Sequence, residues 1–315
     1  MLAYVVRRLL VAIPVILGVT FIVFALVTFA PGDPVNIMLA SEKVSPELAE
    51  ELRAFYGLDK PWYAQYATYM NNLLHGDMGY SLTTRTPVAA NIARRFPSTL
   101  QLTFASLVVA LAIAIPVGIL SATRRNSMLD YLSLTGAMVG VSTPNFWLGL
   151  LLLLWLGLEL KLLPIWGIGR LSKGLWDVVA HLIMPAVTLG TSLAALLTRL
   201  TRASILEVLS QDYISTARAK GLPERRVRYR HALRNAIIPV LTAAGLQFGA
   251  LLGGAVIVES IFAWPGMGRL AYEAIQQRDL PTIQGTTLVF AFSFIVVTLI
   301  VDLLYVAVDP RIRYD

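Results

Sequence analysis

Residues 210–239 read SQDYISTARAKGLPERRVRYRHALRNAIIP. They are a strongly basic stretch set between long apolar runs, and the organisation of the whole chain follows from them. From Arg199 to Arg234 the cations are Arg199, Arg202, Arg218, Lys220, Arg225, Arg226, Arg228, Arg230 and Arg234. The acids are only Glu207, Asp212 and Glu224. So basic a loop between membrane-length runs faces the cytoplasm. It reads as two short helices. Ser210 caps the first, whose first turn carries Asp212 and whose last turn carries Lys220, each on the side the macrodipole favours. Gly221 supplies a left-handed stop, and Pro223 opens the second helix with Glu224 beside it. Four or five charges would be enough to fix topology. The small residues between them (Ala217, Ala219, Gly221, Leu222) suit a tip that inserts into a groove of a cytoplasmic partner.

The chain is 57% hydrophobic and 14% charged, with mean hydropathy +0.68. Soluble domains average roughly 45–50% apolar and about 25% charged. This is an all-α polytopic membrane protein. Six apolar runs are long enough to span: 9–29, 100–120, 132–158, 182–200, 237–262 and 283–308. About 20 helical residues cross a hydrocarbon core of about 30 Å. The third, fifth and sixth runs exceed that, so tilt or a break is expected. With the amino end inside, six spans return the carboxyl end inside. The inner side then holds fifteen basic and seven acidic residues, the outer side eleven and twelve. That imbalance sets both termini in the cytoplasm. The first run exceeds the usual signal-peptide core and reads as a retained anchor.

The outer loop 30–99 is long enough to carry surface helices. Ser45, Pro46 and Glu47 start one that Gly57 ends. A second begins near Pro61 and stops before Gly76, and its Trp62, Tyr66, Tyr69 and Leu73 share one face, read as an aromatic belt against the bilayer or the other spans. An amphipathic piece at Ile92–Phe96 is expected to end at Pro97, ahead of the second span.

The chemistry excludes several classes. Cys is absent and the three His are scattered, so there is no disulfide, thiolate or metal site. No run carries a mid-span Asp, Glu, Lys or Arg, which argues against proton- or sodium-coupled transport and intramembrane proteolysis; Glu259 and Asp302 lie near span ends. No Walker motif occurs, so a transporter of this kind needs an external motor, and the basic loop is the place to attach it. The +7 charge is explained by its placement and implies no nucleic acid. Gly245, Gly249 and Gly253 form two G-x-x-x-G steps in the fifth run and mark a helix-packing interface. Ser142, Asn145, Thr191 and Gln247 are the candidates for lining a translocation path.

In order along the chain stand Tyr4-Val5-Val6-Arg7-Arg8-Leu9, Pro31-Gly32-Asp33-Pro34, Tyr56-Gly57-Leu58-Asp59-Lys60-Pro61, Gly76-Asp77-Met78-Gly79 and Pro97-Ser98-Thr99-Leu100. Thr143-Pro144-Asn145-Phe146-Trp147, Thr216-Ala217-Arg218-Ala219-Lys220-Gly221 and Arg230-His231-Ala232-Leu233-Arg234-Asn235 follow. Phe262-Ala263-Trp264-Pro265-Gly266 and Asp309-Pro310-Arg311-Ile312-Arg313 complete the series. With these the sequence resembles a permease subunit of the peptide/nickel class of bacterial ATP-binding-cassette importers, the first of the two permeases. The resemblance implies a type I importer permease fold, a single domain over 1–315 in the cytoplasmic membrane. Loop 201–236 would carry the "EAA" motif. Ser215, Thr216 and Ala217 take its first positions; His231, Leu233 and Arg234 take the later I-x-L-P positions, so the leading Glu and the Pro are missing. By resemblance Ala217, Arg218, Ala219, Lys220, Gly221, Leu222, Pro223, Glu224 and Arg225 form the coupling helix and its flank.

The implied partners are a paralogous second permease, two ATP-binding subunits that hold ATP and Mg, an extracytoplasmic substrate-binding protein and the bilayer. This chain itself would hold no cofactor and catalyse no reaction. Short peptides are the expected substrate, with nickel or another small solute as the alternative. A membrane scaffold that recruits a cytoplasmic protein, or a membrane-embedded enzyme, are the readings from other classes. A scaffold does not require glycines through its core spans, and an enzyme needs a polar constellation that is not found.

Overall fold

A computed structural model of the chain describes residues 2–29 and 60–308. The helix expected between Ser45 and Gly57 and the segment Asp309–Arg313 lie outside the described residues. Among those described, every regular element is helical, with one isolated antiparallel bridge, Tyr80 to Pro87. They divide into two compact units, residues 99–265 with 294 onward, and residues 2–98 with 266–293.

In the first unit, α3 (Val88–Thr123, shared with the other unit) is followed by α4 (Met128–Ser142) and α5 (Asn145–Leu152), which continues in a π-helical turn, Leu153–Glu159. Then come α6 (Leu175–Leu209), α7 (Asp212–Ala219), α8 (Glu224–Arg226), a π turn at Val227–Ala232, α9 (Leu233–Gly254) and α10 (Val256–Ile261). Helix α6 is central, with α4, α5 and α9 packed on it. At about 1.5 Å per residue its 35 residues extend about 50 Å. It therefore outruns the expected span 182–200 at both ends. Small residues let neighbouring helices approach. A Cβ on Gly190 would lie 2.8 Å from the Ser106 carbonyl oxygen, and one on Gly118 would lie 2.6 Å from Thr201 Cβ. Three apolar clusters follow one another along α3 and α6. They centre on Leu102, Met184 and Trp264, then Ala110, Leu197 and Val240, then Ile119, Ile205 and Ala236.

The third apolar run is broken. Helices α4 and α5 meet at 97°. A residue before proline is pushed out of the helical region, and Thr143, ahead of Pro144, is extended at φ −79°, ψ 119°. Pro144 then starts α5 from the N-cap position.

The second unit holds α1 (Leu2–Thr28), α2 (Trp62–Leu74), the start of α3, α11 (Met267–Gln276) and α12 (Leu280–Val308, which continues into the first unit). The aromatic face of α2 lies on α1: Tyr66 sits edge-on to Phe21 at 5.6 Å, and Tyr69 stacks on Phe24 at 5.8 Å. The Tyr69 hydroxyl is buried without a hydrogen-bond partner among the described residues, and burial pushes its pKa up to about 12. Helix α3 runs straight through Pro97, against the expected end there. A proline inside a membrane helix is tolerated where neighbouring groups re-satisfy the freed carbonyl. Val88, Ile92 and Met267 form this unit's core.

Among the described residues four helices are long and apolar enough to cross a membrane, or five if the bent α4–α5 pair is one span. Helix α1 contributes a shorter apolar stretch, Leu10–Leu26.

Candidate functional site

The basic segment begins where α6 ends. Ser210 does not cap α7. It is the C-cap of α6 at φ −86°, ψ −6°, and its hydroxyl donates to the Glu207 carbonyl at 2.7 Å. Gln211, extended at φ −76°, ψ 147°, takes the N-cap of α7 without a side-chain bond. After Ala219 the chain turns at Gly221, φ +74°, whose N–H reaches the Arg218 carbonyl at 2.9 Å. Pro223 occupies the N-cap of α8. The second helix is not short: α8, the π turn and α9 run on as one helical stretch from Glu224 to Gly253. The arm after the turn is therefore the leading end of the long apolar helix that includes α9.

Ile214, Ala217, Val227 and Ala232 are the buried core of this segment, with Leu222 packed against it. Ala217 thus faces inward, while Arg218, Ala219, Lys220, Gly221, Pro223, Glu224 and Arg225 are exposed. Arg218 Nε lies 2.8 Å from Glu224 Oε1, and Arg228 Nε lies 3.4 Å from Oε2. One carboxylate thereby spans the turn and joins α7 to α8. At this exposure the pair is worth only about 0–1 kcal/mol; its effect is to hold the tip in one geometry.

Ten residues before α7 lies an ion pair that sequence reading missed. Asp130, 2% exposed, accepts Arg202 Nε and Nη2, the Ser121 hydroxyl and the Asn126 N–H. This carboxylate binds the short turn between α3 and α4 to α6. The partners are 72 residues apart in sequence, and no local pattern links them.

On α9, a Cβ at Gly245 would collide with Val301 Cγ2, and one at Gly249 would lie 3.0 Å from Phe294 Cδ2 and 3.4 Å from Val297 Cγ1. Both therefore pack on α12. Gly253 is exposed. Of the polar candidates, Ser142 lines an open pocket of about 480 Å³ at the α4–α5 bend, with Met138, Thr143 and Trp147. Asn145 starts α5 beside it but does not line it. The Thr191 hydroxyl donates to its own helix at the Val187 carbonyl, 2.6 Å. Gln247 is half-buried on α9. The structure therefore brings Ser142 and Asn145 together and leaves Thr191 and Gln247 outside that pocket. No group of three metal-ligating side chains occurs among the described residues.

Residues 114–314 match the family described as binding-protein-dependent transport system inner membrane component, and residues 1–103 match the N-terminal family of the same systems. The chain is 43% identical over its whole length to the dipeptide transport system permease protein of Escherichia coli (strain K12), covering 99% of it. It is 44% identical to the oligopeptide transport system permease protein of Bacillus subtilis (strain 168), with all of both chains covered. It is 46% identical to the glutathione transport system permease protein of Escherichia coli (strain K12), again over both full lengths. In fold it is similar to a chain of the inward-facing MetNI methionine ABC transporter, with TM-score 0.56 and 20% identity over 69% of this chain and 96% of that one. The chain belongs to the binding-protein-dependent inner membrane components: it is a multi-pass permease subunit of an ATP-driven importer in the cytoplasmic membrane, and ATP hydrolysis resides in separate subunits.

Proposed function

We propose that the chain forms half of a translocation path for short peptides, beside a paralogous second permease that supplies the other half. The observation that carries this is full-length similarity to three permeases whose names specify a dipeptide, an oligopeptide and glutathione. Six spans place both termini in the cytoplasm, with α1 and the bent α4–α5 pair counted as one span each. Two ATP-binding subunits hold ATP and Mg, and an outer substrate-binding protein delivers the peptide.

Residues Ala217–Arg225 seat in an ATPase cleft and transmit its motion. Two features support that role. The tip is tied internally by the Arg218–Glu224 pair, and the arm after it continues without a break into α9. A displacement at the tip therefore tilts the fifth span instead of being absorbed in a loose loop. Lys220 and Arg225 stay exposed beside it for carboxylates of the motor subunit.

The test uses the assembled transporter. Gly221→Val strains a left-handed position, and Arg218→Glu with Arg225→Glu reverses the charge of the tip. Both are expected to leave the chain inserted and paired with its sister permease. Binding-protein-stimulated ATP hydrolysis and uptake of labelled dialanine should fall together. Normal uptake in both variants would remove the coupling role. Uptake of nickel but not dialanine by the unaltered transporter would replace the substrate.

A further inference from the structure

A second pocket, of about 240 Å³, lies in the unit built from residues 2–98 and 266–293. Its walls come from the loop before α3, the first turns of α3, helix α11 and the start of α12. Most of its lining residues are polar or charged, and its acids are already engaged. Asp279, 3% exposed, accepts the Ser81 hydroxyl at 2.5 Å, the Leu82 N–H at 3.0 Å and the Thr282 hydroxyl at 2.8 Å. Glu273 is held by Arg269 Nε at 2.7 Å and faces Arg95 at 3.7 Å. On another wall Asn91 Nδ2 donates to Thr86 Oγ1 at 2.9 Å, and Thr86 meets Thr84 at 2.7 Å.

What remains is donor capacity. Arg94 lines the pocket, is exposed, and makes no ion pair among the described residues; Gln277 lines it and is exposed as well. Glu273 is shared by Arg269 and Arg95, and Asp279 is spent on hydroxyl and N–H donors, so no lining carboxylate pairs with Arg94 among the described residues. A guanidinium fork matches a carboxylate in geometry and charge. Pockets for small molecules run roughly 300–1,000 Å³, and this one is smaller. It fits one side chain of a larger partner better than a free solute.

We infer that this pocket receives the carboxylate of a single aspartate or glutamate side chain presented by the outer substrate-binding protein, with Arg94 as the principal donor. The inference rests on the importer reading above and on the outer placement of residues 60–98. A charge at such a rim speeds encounter and fixes register more than it adds affinity. The inserted side chain sets the angle at which the loaded protein stands on the permease.

The test titrates the complete transporter in nanodiscs with its own purified substrate-binding protein and follows ATP hydrolysis. Arg94→Glu is expected to raise the half-saturating protein concentration at least about tenfold and to leave the maximal rate unchanged; Arg94→Gln should shift it less, in the same direction. Lys173→Glu, which alters an exposed cation outside the pocket, should leave half-saturation in place. An unchanged half-saturation in Arg94→Glu overturns the inference and leaves the importer reading standing, as does an equal shift with Lys173→Glu. Dialanine binding without the substrate-binding protein, lost in Arg94→Gln, assigns the pocket to substrate and overturns it too. Absence of stimulation in the unaltered complex strikes the importer reading and the inference with it.

Discussion

Arg202 grips Asp130 with two parallel hydrogen bonds, Nε to Oδ1 and Nη2 to Oδ2, each 2.8 Å. Asp130 is almost fully buried, and Arg202 keeps a fifth of its side chain exposed. The remaining carboxylate capacity goes to Ser121 and Asn126, so the charge is desolvated but fully partnered. Helix α6 is thereby fastened to the α3–α4 turn just before it delivers the chain to the basic tip.

Removing one partner of a buried pair leaves the other charged and unpaired, at a cost of about 3–5 kcal/mol. Arg202→Ala should therefore lower the melting temperature of the purified complex by several degrees. Asp130→Ala with Arg202→Ala should cost less than the two single changes added together. Equal costs for the double variant and the sum, read by the same melt, would mean that the two side chains act independently.

The glycines of the spans should separate by what faces them. A methyl at Gly245 meets Val301, whereas nothing lies within 4 Å of the position it would take at Gly136. Alanine is the better helix former by about 0.8–1.0 kcal/mol. Gly136→Ala should thus be neutral or slightly stabilising within this chain, and Gly245→Ala destabilising, by the yield and melting temperature of detergent-extracted protein. The reverse order would place the Gly245 face away from α12.

Much of this was legible in the sequence, and the reasons differ by element. The basic turn was readable because Gly221 and Pro223 act locally, through φ and a missing N–H. Length alone predicted tilt or a break in the third, fifth and sixth runs without telling which would break, and the position of the break in the third needed Pro144 read for its effect on Thr143. The end of α3 was misjudged at Pro97, and the cap of α7 at Ser210, because each local signal has a competing use. A proline inside a membrane helix is tolerated, and a serine hydroxyl closes one helix as readily as it opens the next. Asp130–Arg202 and Ser81–Asp279 were not legible, since their partners lie 72 and 198 residues apart.

Orientation is open to chemical labelling because the chain has no cysteine. Ser81 is unsuitable as a probe: it is buried and its hydroxyl is spent on Asp279. Thr83 and Ser210 are exposed. Thr83→Cys should react with an impermeant maleimide on intact spheroplasts, and Ser210→Cys only after permeabilisation. The opposite pattern would invert the topology and move the basic segment to the outer face.

The bend between α4 and α5 should depend on Pro144. Helix α4 stops where the Thr143 N–H and hydroxyl both return to the Val139 carbonyl, at 2.9 and 2.7 Å. Helix α5 starts where the Trp147 and Leu148 N–H groups reach the Pro144 carbonyl, both at 3.1 Å. Between them Thr143 is extended because the proline ring disfavours the helical region for the residue before it. Pro144→Ala lifts that restriction and returns an N–H, so the two helices can join. Spin labels at Met138 and Trp155, both well exposed, would then separate by about 7 Å more, from the rise of about 1.5 Å per residue and the 97° bend. The pocket that Ser142 lines would open out, and uptake should fall while insertion is kept. An unchanged distance would mean that packing sets the bend instead: Gly149 of α5 lies against Thr188 of α6, where an added Cβ would sit 3.3 Å from the threonine methyl. In that case Gly149→Leu, not Pro144→Ala, should lengthen the distance.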